Sequence, residues 1–240
     1  MRRILFSIAF VVIIWLIIAY VFKPAQYLFP SPDRVLTVFN ENRTHFIEHT
    51  LYTLVEMLIG FVIASMLGLS LAIVAVFYSR AESVLTTLSV ILKTIPIMAL
   101  APLLILWFGP EIWSKVAAVV ITCFMPILVN VLSGAKIIAK KYKDIISLYQ
   151  MTKFQQLKKI ILPGVAPYLL SALKISSSLA IVGALVSEFI SANKGLGYLI
   201  ISNYYSMNIA GVFVCIIISS ILGLVIYYTI DFVEKKLITW

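Results

Sequence analysis

Six stretches of this chain, at 4–22, 51–78, 84–108, 116–138, 165–191 and 209–230, are nineteen or more residues long and carry at most two charges each. That repetition leaves few folds open. The shortest, at 1.5 Å per residue, makes a helix of roughly 28 Å, enough to cross a bilayer. A soluble domain confines apolar residues to one face of each element. These windows are apolar on every face, so lipid is their solvent. With 62% hydrophobic and 12% charged residues, the chain has about half the charge of an average soluble protein. Helix is the only state that pairs the backbone amides of each stretch in hydrocarbon. The expectation is an all-α integral membrane protein with one membrane domain, 1–240, and no internal repeat.

The first stretch follows Met1-Arg2-Arg3, as in a secretory signal peptide. It is longer than such an apolar region and ends in YVFKPAQ without a small-x-small cleavage site, which predicts a retained span. Lysine and arginine then orient the rest. With Lys136, at the end of the fourth stretch, counted with the connection that follows it, twelve of the 19 fall on the termini and alternate connections, five on the other connections, and Lys93 and Lys174 deep within apolar stretches. The bias predicts six transmembrane helices with N and C termini cytoplasmic. It also accounts for the net charge of +9 with no nucleic acid partner. Cys123 and Cys215 both lie in apolar runs and predict neither disulfide, zinc nor redox chemistry.

Glu56, Lys93, Lys174 and Glu188 are ionisable groups inside apolar stretches. Two readings stay open for them. All four lie close enough to a membrane face to snorkel, and Glu56 or Glu188 equally suits a water-filled path or a tie between helices. In the connection 23–50, SPDRVLTVFNENRTHFIEH has a cap candidate at Ser31 and apolar residues at helical spacing, which predicts a short helix along the outer interface. In 191–208, Gly195 and Gly197 permit a sharp turn before a tyrosine-rich patch. HFIEH, residues 45–49, matches the zinc-protease pattern H-x-x-E-H, but no third ligand follows and these are the only histidines. The pattern is therefore assigned to chance, and no catalytic residue, metal or cofactor is expected.

The connection 139–164 differs from the others. It is crowded with lysine and divides into two short amphipathic patterns, 142–149 and 153–161, with Pro163 expected to end the second. Helices this short need something to pack against. Membrane lipid headgroups beneath the lysines and a groove on a partner protein both meet that need.

This segment resembles the coupling loop of binding-protein-dependent ABC importer permeases, whose pattern is E-A-A, three residues, G, nine residues, I-x-L-P. Alignment on Leu162 and Pro163 puts the isoleucine on Ile160, the glycine on Gln150 and E-A-A on Asp144, Ile145 and Ile146. The I-x-L-P end is intact, the acid is changed conservatively, and both alanines and the glycine are replaced. A left-handed turn at Gln150 costs about 1 kcal/mol or more. LFPSPDRVL (28–36), KTIPIMALAPLLILWFGPEIWSK (93–115) and GALVSEFISANKGLGYLI (183–200) are likewise similar to the subfamily importing nitrate, taurine, aliphatic sulfonates and some vitamins and thiamine precursors.

The resemblance implies a type I ABC importer permease fold, with 51–230 as a five-helix core and the span 4–22 outside it. It further implies a second permease copy, cytoplasmic ABC ATPase subunits, an extracytoplasmic solute-binding protein and the plasma membrane of a prokaryote. The chain has no G-x-x-x-x-G-K-[ST] phosphate loop, so ATP hydrolysis is expected on another subunit. Asp144, Ile145, Ile146, Gln150, Ile160, Leu162 and Pro163 are the implied ATPase-coupling surface. Pro96 and Pro102 either free carbonyls toward the solute path or kink a packed helix. The alternative is an ion-gradient-driven secondary transporter, which would be expected to show half-to-half symmetry that this chain lacks.

Overall fold

The computed structural model describes residues 2–191 and 193–238, with the side chains at 2–5, 7, 8, 79, 93 and 191 outside the description. The described residues form helices and connecting turns, in the order α1 (Arg2–Ile17), α2 (Pro32–Glu41), α3 (Arg43–Phe77), α4 (Ser79–Thr94), α5 (Ile97–Phe108), α6 (Ile112–Lys141), α7 (Lys143–Leu148), α8 (Lys153–Gln156), α9 (Leu162–Ser191), α10 (Leu196–Tyr205) and α11 (Ile209–Leu237). Single π turns extend α1 over Ile18–Phe22 and join α8 to α9 over Leu157–Ile161. Among the described residues, four helical runs are long and apolar enough to cross a membrane: Arg43–Phe77, Ile112–Lys141, Lys153–Ile190 and Ile209–Leu237.

Two expected spans take a different form. The stretch 84–108 is not one straight helix, because α4 and α5 meet at a bend of 104°. Ile95 is extended ahead of Pro96, whose ring excludes the helical conformation from its predecessor, and the Pro96 carbonyl starts α5 by accepting from Ala99 N at 2.9 Å. Of the two readings left open for Pro96, freeing carbonyls or kinking a packed helix, the break in regularity is what the bend shows. Pro102 sits inside α5, and Gly109 ends that helix at φ +81°. The final helix also runs past residue 230 to Leu237, which brings Asp231 and Glu234 into the bundle.

The core lies where α3, α6 and α9 meet. Gly60, Ala64, Gly68 and Ala72 repeat every four residues down the buried face of α3. A Cβ on Gly68 would fall 2.8 Å from Ile127 Cγ2 of α6, so small residues here let the two backbones approach. Lipid supplies little driving force for helix association, and close backbone packing replaces it. Between α6 and α9, Cys123 Sγ donates to Ser176 O at 3.3 Å and Ser176 Oγ returns a bond to Cys123 O at 3.4 Å. Between α9 and α11, Lys174 pairs with Glu234 and lies 3.4 Å from Asp231, which also holds Lys235 at 2.5 Å. Lys174 is thus a helix tie rather than a snorkelling side chain; the Lys93 side chain lies outside the described residues.

The short helix expected in the connection 23–50 forms as α2, and one face of it is docked on the bundle. α2 buries Val35 and Val38 against Leu196, Leu199, Ala210 and Val214 of α10 and α11. Ser31 occupies its N-cap position but makes no capping bond. α1 is pinned nearby: Trp15 Nε1 donates to Pro30 O at 3.0 Å, and Tyr20 Oη donates to Asp33 Oδ1 at 2.5 Å.

Candidate functional site

At the lysine-rich end of the bundle, the chain leaves α6 and folds into a helical hairpin. Met151 N donates to Ile146 O and Gln150 N to Ser147 O, both at 3.1 Å, with Gln150 at φ +46° between them. This is the left-handed C-terminal cap that glycine usually supplies, and here glutamine supplies it. The next helix starts on a reciprocal cap. Gln155 N donates to Thr152 Oγ1 at 3.3 Å, and Thr152 N donates to Gln155 Oε1 at 2.9 Å. That signal, T-x-x-Q, is legible in the sequence.

Pro163 does not end the second helix, contrary to expectation. The wide π turn Leu157–Ile161 precedes it and the chain continues into α9, so Lys153–Ile190 is a single helical run of 38 residues. A π turn shifts the hydrogen-bond register just where a ring without an N–H must enter. Ile161 and Val165 are buried against the core, and Leu157 packs against it too. Of the seven residues implied by resemblance, Asp144, Ile145, Gln150, Leu162 and Pro163 are exposed, while Ile146 and Ile160 are half-buried. The most exposed apolar groups beside them are Leu148 (78%), Phe154 (70%) and Tyr149 (69%). Leu148 and Tyr149 fall three and four positions after Ile145, the helical spacing that puts them on the apolar side of the 142–149 pattern, although the family motif does not include them. Lys153 Nζ sits 4.5 Å from the centre of the Tyr78 ring and fastens the hairpin to the end of α3.

At the opposite end, Glu188 closes a clasp among α3, α9 and α10. It is 1% exposed. Its Oε1 accepts from Thr53 Oγ1 at 2.7 Å, and its Oε2 accepts from Gly197 N at 2.5 Å in the first turn of α10. Thr53 Oγ1 in turn accepts from Leu196 N at 2.8 Å. His49 Nδ1 lies 3.0 Å from Gly195 N and 3.2 Å from Gly195 O, so it pairs with the backbone of this turn in either tautomer. The ring stacks on Tyr198, with centroids 5.7 Å apart. Gly195 is at φ +106°, a backbone state reserved for glycine, and a side chain there would collide with the Glu188 carboxyl. Carboxyl and hydroxyl groups thus satisfy the exposed amides of a short helix whose start is buried. His49, picked out in sequence by H-x-x-E-H, serves this turn.

Glu56 lies one turn along α3 from Thr53 and is also buried, as is Lys115 at the start of α6. Lys115 Nζ donates to Glu111 O at 3.1 Å and to Pro110 O. Lys194, in the turn before α10, donates to Tyr52 Oη at 2.5 Å, and this bond holds its ammonium above the ordinary lysine range.

Residues 60–239 match the family described as binding-protein-dependent transport system inner membrane component. The chain belongs to that family. This permease is 36% identical to the formylaminopyrimidine transport permease protein ThiX of Halalkalibacterium halodurans, over 89% of its own length and 86% of the relative's. A probable ABC transporter permease protein of Haemophilus influenzae is 30% identical over 98% of this chain and 96% of its own. The putative aliphatic sulfonates transport permease protein SsuC of Bacillus subtilis is 28% identical over 97% and 85%. The permease is therefore a membrane component of an ABC importer, a family that transports rather than catalyses, and whose members work with an ATPase and a binding protein. Its exposed hairpin coincides with the segment that resembles the family's coupling loop.

Proposed function

We propose that the permease forms half of the solute path of an ATP-driven importer and receives the ATPase on its α7–α8 hairpin. The observation that carries this reading is the solvent-facing apolar patch of Ile145, Leu148, Tyr149 and Phe154, on a hairpin built into the end of a 38-residue helical run. Exposed apolar side chains at that density suit a helix-in-groove partner. The run is about 57 Å long. It carries the hairpin at one end and Glu188 at the other, so a push on the hairpin reaches the α10 clasp without an intervening joint. In this reading 4–22, the bent pair α4–α5 and the four long runs make six spans in a single domain. Both termini and the hairpin face the cytoplasm, and α2 and α10 face the binding protein. A second copy completes the path, and Pro96, where α4 breaks from α5, borders it. The cargo is a small solute of the kinds named for the relatives.

Substitution of Leu148 or Phe154 by aspartate is expected to leave the permease inserted and monodisperse while abolishing co-purification of its ATPase. Unchanged co-purification of both variants would remove the docking assignment. Leu157→Asp is not equivalent, because Leu157 packs on the core; it is expected to lower folded yield instead. Uptake that persists without the ATPase and follows an ion gradient would transfer the protein to the secondary-transporter class.

A further inference from the structure

A cavity of about 280 Å³ opens beside the clasp, bounded by Tyr52 and Glu56 of α3, Glu111 and Lys115 at the start of α6, and Asn193 and Lys194 before α10. At roughly 30 Å³ per water it has room for about nine waters, or one small organic solute. Its formal charge balances, with two carboxyls and two ammoniums on the wall. Their hydrogen bonding does not balance. The Lys115 ammonium already donates to the Pro110 and Glu111 carbonyls, and the Lys194 ammonium to the Tyr52 hydroxyl, with Glu48 at 3.9 Å. Glu56 is 6% exposed; its carboxyl interacts with the neighbouring Glu188 carboxyl, and its Oε2 is buried with no other hydrogen-bond partner. A buried oxygen without a partner is costly and uncommon in native proteins. The buried capacity left over in this cavity is thus on the Glu56 carboxyl, while Lys194 at the exposed mouth keeps N–H groups for water.

We propose that the cavity is a solute site in which Glu56 pairs with an uncharged molecule presenting an N–H donor beside an acceptor, such as an amide or an amino-heterocycle edge, and that it discriminates against anions. A carboxyl pairs with such an edge in either protonation state, since it accepts in both and donates when protonated. A nitrate or sulfonate offers acceptors alone: it finds no donor on a carboxylate, the buried Lys115 already donates to two carbonyls, and the cation with N–H groups to spare, Lys194, stands at the exposed mouth where water competes. This inference rests on the importer reading and specifies the cargo chemistry within it.

The test uses the full-length permease in lipid nanodiscs, titrated calorimetrically with formylaminopyrimidine, ethanesulfonate and nitrate. Formylaminopyrimidine is expected to bind at least tenfold more tightly than either anion. Glu56→Leu is expected to weaken it tenfold or more, and Glu56→Gln, which keeps a donor and an acceptor, by less. Anions binding as tightly, Glu56→Leu binding unchanged, or no solute binding so that the cavity holds water only, would each overturn the proposal. If Glu56→Leu fails to insert, the wild-type preference and Glu56→Gln still decide it. The two readings fail separately: ATPase-dependent uptake indifferent to Glu56→Leu defeats the site alone, whereas ATPase-independent uptake defeats the importer reading and leaves the nanodisc preference standing.

Discussion

Single residues carry unequal loads in this permease, and two of them make quantitative predictions. Gln150 holds a left-handed conformation that costs an L-residue about 1 kcal/mol or more. Gln150→Gly is expected to raise the thermal stability of the purified protein by about that amount and to preserve ATPase co-purification. A melting temperature at or below that of the wild type would mean that the glutamine side chain compensates its own strain. Thr53 joins Glu188 to the first amide of α10 through one hydroxyl. Thr53→Val keeps the shape and deletes both bonds, leaving a buried carboxyl oxygen and a buried N–H short of a partner. A loss of roughly 2 kcal/mol is expected, with Thr53→Ser close to wild type, measured by thermal unfolding in detergent.

At the level of elements, what distinguishes the bundle is how its helices approach in a solvent as apolar as their own side chains. α3 and α6 meet through residues without bulk, so steric volume rather than lost hydrophobicity sets the effect of mutation. Gly68→Leu is expected to separate the two helices and reduce the monodisperse fraction in size-exclusion chromatography severalfold. The same change at Gly109, around whose Cβ position there is open space, is expected to disturb packing far less, although φ +81° makes a separate backbone demand there. The long α8–α9 run is the other decisive element. Its π turn lets a proline enter without a break, so the hairpin and the clasp belong to one rod.

For the whole molecule, the arrangement separates the exposed hairpin, the proposed docking surface, from a buried polar cluster by the length of that rod. The topology predicted by the lysine bias assigns the two ends to opposite sides of the membrane. A single cysteine at Tyr149, in a background lacking Cys123 and Cys215, is expected to react with a membrane-impermeant maleimide only in inside-out vesicles. One at Leu36 is expected to react only in right-side-out cells. The reverse pattern, or labelling of both from one side, would refute the orientation.

Hydropathy alone determined that this chain is helical and lives in lipid, because the cost of unpaired amides in hydrocarbon is large and independent of context. Charge bias and the I-x-L-P end of 139–164 were also enough to point to a hairpin and its family. Tertiary structure decided everything that depends on which residues meet. Glu188 and Thr53 are separated by 135 residues and reveal their bond only once α3 lies against α9. The partners of Lys174 sit on a helix whose end sequence reading had placed too early. Pro163 shows the limit most clearly: a proline forbids one hydrogen bond, but whether the chain stops or reroutes around the gap depends on the packing of Ile161 and Val165 on either side.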